Sequence, residues 1–147
     1  MTGNGRAQFC TFFVDGLCFG VDVLAVQEVL RFQDLTPVPL AQPTVRGLIN
    51  LRGQIVVAID MRRRLDRPSE ETGAPPMNVV VCTDEGVVSF LVDEIGDVLE
   101  VDAEAFETPP ETIDDSVRAL ITGVYKLPDR LMMVLDTEHV ADLDSAA

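Results

Sequence analysis

Turn chemistry constrains this chain more than any other feature. Asp15-Gly16, Gly53, Asp84-Glu85-Gly86 and Pro128-Asp129 cut it into short apolar runs. Such runs, rich in Val, Ile and Phe, read as strands. Asp-Gly is among the strongest two-residue hairpin signals. The expected strands are Phe9–Val14, Leu17–Val21, Glu28–Phe32, Gly47–Arg52, Gln54–Ile59, Asn78–Thr83, Val87–Val92, Arg118–Leu127 and Arg130–Leu135. Short helical stretches are expected at Val23–Gln27 behind Asp22, at Asp60–Leu65 and at Thr137–Leu143, with a single turn at Pro43. Thr36-Pro37-Val38-Pro39 fits neither a helix nor a central strand, because two prolines remove two backbone donors. Asp93–Val101 reads as mixed, with a bulge or kink at Gly96, and Asp102–Ser116 reads as mostly loop. About nine or ten short strands at this spacing imply barrels or a sandwich.

Asp66–Met77, DRPSEETGAPPM, is the clearest linker. It divides the chain into halves, each too small for a comfortable core of its own. The expectation is one domain over residues 1–147. Its approximate subdomains are 22–77 and 78–135, with the terminal segments free to exchange between them. The halves should pack on each other and leave a groove.

Charge narrows the function classes. The net charge of the 147 residues is −14. Up to Arg67 there are 8 basic and 6 acidic residues; from Pro68 onward there are 3 and 19. So acidic a second half repels phosphate backbones, and nucleic acid is excluded as a partner. The hydrophobic fraction of 47% supports a folded core. No apolar run reaches the ~18–20 residues that span a bilayer, and Met1–Gln8 has no apolar signal core. A cytoplasmic protein with no direct membrane insertion is expected.

Catalytic equipment is hard to find. His139 is the sole histidine and lies in an expected helix, TEHVADL. Cys10, Cys18 and Cys82 form no C-x-x-C pair; Cys10 and Cys82 lie in alternating apolar segments and read as buried small hydrophobes. No metal, cofactor or phosphate cradle is implied. Arg62-Arg63-Arg64 reads as the wet face of a short helix. Polar Asn50 and Arg52 flank Gly53 between two apolar strands. Two readings stay open there: Asn50 satisfies the turn and Arg52 is merely solvated, or Arg52 stands at a groove edge and offers its fork of donors to a partner.

Residues 12–30, FFVDGLCFGVDVLAVQEVL, carry the pattern F-G-[IV]-D-[IV]…V-Q-E. TPVP at 36–39, P-x-x-[VI]-[RK]-G at 43–47, GLINLRG at 47–53 and I-x-x-x-[IV]-D-[LM]-R at 55–62 follow. NVVVC at 78–82, LVDEIGDVLEV at 91–101, ITGVYKL at 121–127 and LMMVLDTEHV at 131–140 complete the order. In these motifs the chain resembles the CheW-like chemotaxis coupling proteins over nearly its whole length.

The resemblance implies a mostly β fold: two SH3-like five-stranded β-barrel subdomains on a shared hydrophobic core, with short helices. It implies a non-enzymatic adaptor without cofactors. Such an adaptor couples transmembrane chemoreceptors to the histidine kinase CheA, through the kinase's regulatory domain, and helps control autophosphorylation. It would be recruited from the cytoplasm to membrane-associated receptor arrays. Carried over by motif, Val26, Glu28, Arg52, Ile95 and Val98 fall in the receptor groove. Leu35, Val38, Arg46 and Ile55 fall where the kinase binds. The residues by themselves also allow core packing for the aliphatics and a self-contained Glu28–Arg52 pair. Other readings are an adaptor of a non-flagellar chemosensory pathway and a small ligand-binding β-barrel.

Overall fold

A computed structural model describes residues 5–68 and 75–143. Part of the expected linker, residues 69–74, and the first four residues of the N-terminal segment lie outside the described residues. Ten strands form two five-stranded sheets. The first holds β1 (Arg6–Val14), β2 (Leu17–Asp22), β8 (Glu94–Asp102), β9 (Ile121–Lys126) and β10 (Leu131–Leu135), in the order β8-β1-β2-β10-β9. The second holds β3 (Val26–Leu30), β4 (Val45–Leu51), β5 (Gln54–Asp60), β6 (Met77–Thr83) and β7 (Gly86–Val92), in the order β3-β6-β7-β5-β4.

The division expected at 77/78 is therefore not where the sheets divide. Strands β6 and β7 belong with β3–β5, and the first sheet is assembled from both ends of the chain. The reason lies in pairing: β3 has no neighbour until β6 arrives, and β5 is completed by running parallel to β7.

The two sheets share one wiring plan. In each, a central hairpin (β1–β2, β6–β7) offers its second strand to a parallel partner (β10, β5). That partner is itself hairpinned to an outer strand (β9, β4). An aspartate then caps a short helix. Asp60 Oδ1 accepts from Arg62 N at 3.1 Å to start α1 (Met61–Arg64). Asp136 Oδ1 accepts from His139 N at 3.1 Å at α3 (Thr137–Ala141). A strap crosses each outer strand: Thr36 exchanges two backbone hydrogen bonds with Leu48, and Glu107 does so with Val124. Each crossing demands a glycine below it. A Cβ on Gly47 would lie 2.7 Å from Thr36 O, and one on Gly123 would lie 2.7 Å from Glu107 O and inside the Phe106 ring. The residue before each bridge leans on its sheet: Leu35 packs on one small interior, and the partly exposed Phe106 tilts against Tyr125 in the other.

Three apolar clusters follow. Ile49, Leu51, Val56 and Val80 fill the second unit, and Phe9, Cys18, Tyr125, Met132 and Val134 fill the first. The largest lies between them and draws Phe12, Phe19, Phe90, Val79, Ile59 and Leu135 from both sheets. Fully burying one such side chain contributes about 1.5–3 kcal/mol, so neither unit keeps its stability alone.

Local expectations mostly hold, with instructive exceptions. The helical stretch at Val23–Gln27 is only a 3-10 turn, Val23–Ala25, because β3 begins pairing at Val26. Arg118 closes helix α2 (Asp115–Arg118) and does not enter β9. The segment expected to be mixed is strand from Glu94 onward, with the expected irregularity. From Ile95 to Val98 the chain advances three residues against two on β1, which places the bulge at Gly96-Asp97. Cys18 is buried, but Cys10 is half-buried and Cys82 exposed; Cys82 sits beyond the buried stretch Asn78–Val81, near the hairpin end of β6. The arginine run is not a wet face. Arg64 donates to the carbonyls of Val140 (3.0 Å) and His139 (2.7 Å), and Arg62 is tied to Asp93; Arg63 is the exposed one.

Candidate functional site

The chain passes between the two sheets twice, once from β2 to β3 and once from β7 to β8. Both strands that begin at these crossings, β3 and β8, are sheet edges. Val26 is the first residue of β3, and Ile95 the second of β8. Both are half-buried against the shared core, so the core-packing reading is part of the truth for them. Val98, past the bulge, is 57% exposed. It carries an apolar surface with no core role.

Arg52 is held by its turn. Leu51 pairs with Gln54, which leaves Arg52-Gly53 as a two-residue loop with both φ positive, +53° and +89°. That combination matches the strand twist of a tight hairpin and favours glycine at the second place. Asn50 Oδ1 accepts from Gly53 N at 2.9 Å, the turn-satisfying role expected for it. The guanidinium of Arg52 reaches across to Glu28 on β3 and forms an ion pair. Glu28 is the sheltered partner at 20% side-chain exposure, and Arg52 is 69% exposed. The hydrogen bond from Arg52 holds the Glu28 carboxyl below the usual carboxylate range, against a smaller opposing effect of desolvation. The pair leaves most of the Arg52 fork facing outward.

The second group of expected residues does not behave as one. Ile55 is 59% exposed and Val38 lies at the surface. Leu35 faces inward as a plug. Arg46 donates to Asp60 Oδ2 at 3.3 Å. The two most exposed apolar residues escaped the sequence reading: Leu24, on the 3-10 turn at the first crossing, and Leu40, fully exposed with φ +64°. An apolar residue between prolines or inside a capped turn reads as packing, so no local signal marked them.

Among the described residues, no group of His, Cys, Asp and Glu side chains is placed to hold a metal ion. A cleft of about 380 Å³ lies between the β1–β2 turn, β10 and the segment around α2, and it is lined by Leu17, Cys18, Arg67, Val117, Arg130 and Met133 among others. His139 is not part of it. Burial pushes the Cys18 thiol up, away from the reactive thiolate. No described helix is long and apolar enough to cross a membrane.

Comparison with known proteins decides the family. The model of the CheW-like domain matches residues 8–145. The chain belongs to the CheW-like family. The chemotaxis protein CheW of Bacillus subtilis is 30% identical over 139 residues, covering 95% of this chain and 89% of that protein. The chemotaxis protein CheW of Klebsiella aerogenes is 27% identical over 140 residues, covering 95% and 84%. The crystal structure of the scaffolding protein TtCheW from Thermoanaerobacter tengcongensis superposes with a TM-score of 0.83 at 24% identity, over 93% of each chain. The fold is thus that of CheW: two small barrels on a shared core. Like its CheW relatives, the chain is a chemotaxis coupling adaptor and not an enzyme.

Proposed function

We propose that this chain bridges the cytoplasmic tip of methyl-accepting chemoreceptors to the regulatory domain of the histidine kinase CheA, and so helps set autophosphorylation. It would act in the cytoplasm and be recruited to membrane-associated receptor arrays. The observation that carries this reading is the seam. Both chain crossings begin an edge strand, with Val26 and Ile95 rooted in the same shared core, Val98 exposed, and Arg52 held outward by Glu28. A helical hairpin tip fits such a surface, because an amphipathic helix lays an apolar stripe on aliphatics while charges at the rim fix its orientation. Val38 on the strap and Ile55 on β5, both exposed, are the proposed kinase contacts. Arg46, on β4, is tied to Asp60 at the far end of β5, and Leu35 supports the strap that carries Val38.

Arg52→Ala tests the receptor assignment. The variant is expected to fold normally and to weaken receptor binding by about 10-fold or more, the scale of an arginine hot spot. Titration of a receptor signalling fragment against both proteins reads the difference. Unchanged receptor affinity would remove Arg52 from the site.

A further inference from the structure

The strand that carries Ile95 and Val98 starts directly after Asp93, and Asp93 is an unusual residue. It is the single residue between β7 in one barrel and β8 in the other. Its backbone N donates to Phe13 O at 2.9 Å, and its Oδ2 accepts from Asp15 N at 2.7 Å; both partners belong to the first barrel. From the second barrel, Arg62 on α1 grips the same carboxylate with two bonds, Nε to Oδ1 at 2.9 Å and Nη2 to Oδ2 at 2.6 Å. Arg62 also donates to Pro68 O at 2.7 Å and lies 3.7 Å from Asp15 Oδ1. Asp15 is held in turn by Arg67, whose other nitrogen reaches Asp114. Arg62 and Asp93 are well sheltered, at 14% and 24% side-chain exposure.

We infer that Arg62 is a positioning residue for the receptor surface. It touches no receptor itself. It clamps the crossing from which β8 departs, and so sets where Ile95 and Val98 stand relative to Glu28 and Arg52 on the other barrel. This rests on the receptor reading given above. A bidentate guanidinium–carboxylate pair suits the task, because its two parallel bonds fix direction as well as distance. Lysine would keep the charge and lose the direction. The clamp bonds described here run to Asp93, Pro68 and Asp15, whereas Val38 and Ile55 lie on the strap and on β5.

The test compares Arg62→Met, Arg62→Lys and Asp93→Asn with the natural protein and with Arg52→Ala. Amide hydrogen exchange is followed along the whole chain, and affinities for a receptor fragment and for the kinase regulatory domain are measured separately. The expected result is faster exchange concentrated at residues 94–98 in Arg62→Met. Receptor affinity should fall about 10-fold, with kinase affinity held within about 2-fold. Arg62→Lys should fall between, since it restores charge without the fork. Asp93→Asn keeps the acceptor for Asp15 N and loses the charge of the pair, so it guards against a variant that fails to fold; it should shift the same two readouts. Unchanged exchange at 94–98 overturns the inference, and so does an equal loss of receptor and kinase binding. Receptor binding retained in Arg62→Met but lost in Arg52→Ala overturns the inference alone. Receptor binding retained in both overturns the receptor reading with it.

Discussion

The two barrels are wired alike and connected differently. One is continuous in sequence, from Val26 to Val92; the other is closed by pairing the N-terminal hairpin with three strands from the C-terminal part. Both have a central hairpin, one parallel pair, a glycine under a strap and an aspartate-capped helix. What differs is the route. Because the second barrel is inserted into the first, the chain must pass between the sheets twice, and each crossing is followed by an edge strand. The continuous barrel contributes Val26 and Glu28, and the interrupted one contributes Ile95 and Val98. The surface proposed to bind the receptor is thus a consequence of the insertion. A plain tandem of two barrels would cross once.

This comparison predicts strong interdependence, which Phe90→Ala tests most severely. Phe90 is fully buried on β7 in the cluster drawn from both barrels. Truncation there should cost about 3–5 kcal/mol. Urea unfolding monitored in each barrel should still give one coincident transition, shifted to lower denaturant. Two separated transitions would show that the barrels are independent.

The shared wiring is tested next by the strap glycines. Gly47→Ala and Gly123→Ala each push a methyl group into a backbone carbonyl that bridges the outer strand. Each should lose about 1–3 kcal/mol, the usual range for overpacking, as read by denaturant midpoint. One tolerated and one disruptive substitution would mean that the two straps are not equivalent. Between the crossings, Ile95 and Val98 should part company. Ile95→Ala should destabilise by about 1–2 kcal/mol, since part of the side chain is already wet. Val98→Asp should change stability by no more than about 0.5 kcal/mol while abolishing most receptor capture.

Much of the fold was legible because hairpins are local. Asp15-Gly16 and Gly53 announce their turns, and Asp60 announces its helix. Sheet membership was not legible. Nothing in β2 or β10 signals a parallel pairing across most of the chain, and the linker at 66–77 suggested a boundary that strand pairing ignores. The seam was partly legible. GLINLRG drew notice to Arg52, and the bulge at Gly96 was expected. Asp93 was not singled out, because one carboxylate at the start of a mixed segment carries no signal until Arg62 is seen folding back onto it. The arginine run misled for the same reason: spacing on a short helix says nothing of what the next barrel brings to meet it.

The smallest expected effect is a titration. The Glu28 carboxyl is depressed in the folded state, so the contribution of its pair with Arg52 is present above the unfolded carboxylate range. It is lost as pH falls through the lower folded value. Carbon-detected NMR should find Glu28 titrating below the ordinary value, and Arg52→Ala should return it upward. Because the pair is solvent-screened, global stability should barely follow. A Glu28 that titrates normally would detach β3 from the β4–β5 turn.

The adaptor role itself meets its most direct test in a three-component assay with the cognate receptor fragment in membranes, CheA and this chain. Adding the chain should bring receptor and kinase into one sedimenting complex and make autophosphorylation depend on the receptor. Complex formation and kinase rate both unchanged by its addition would contradict the account.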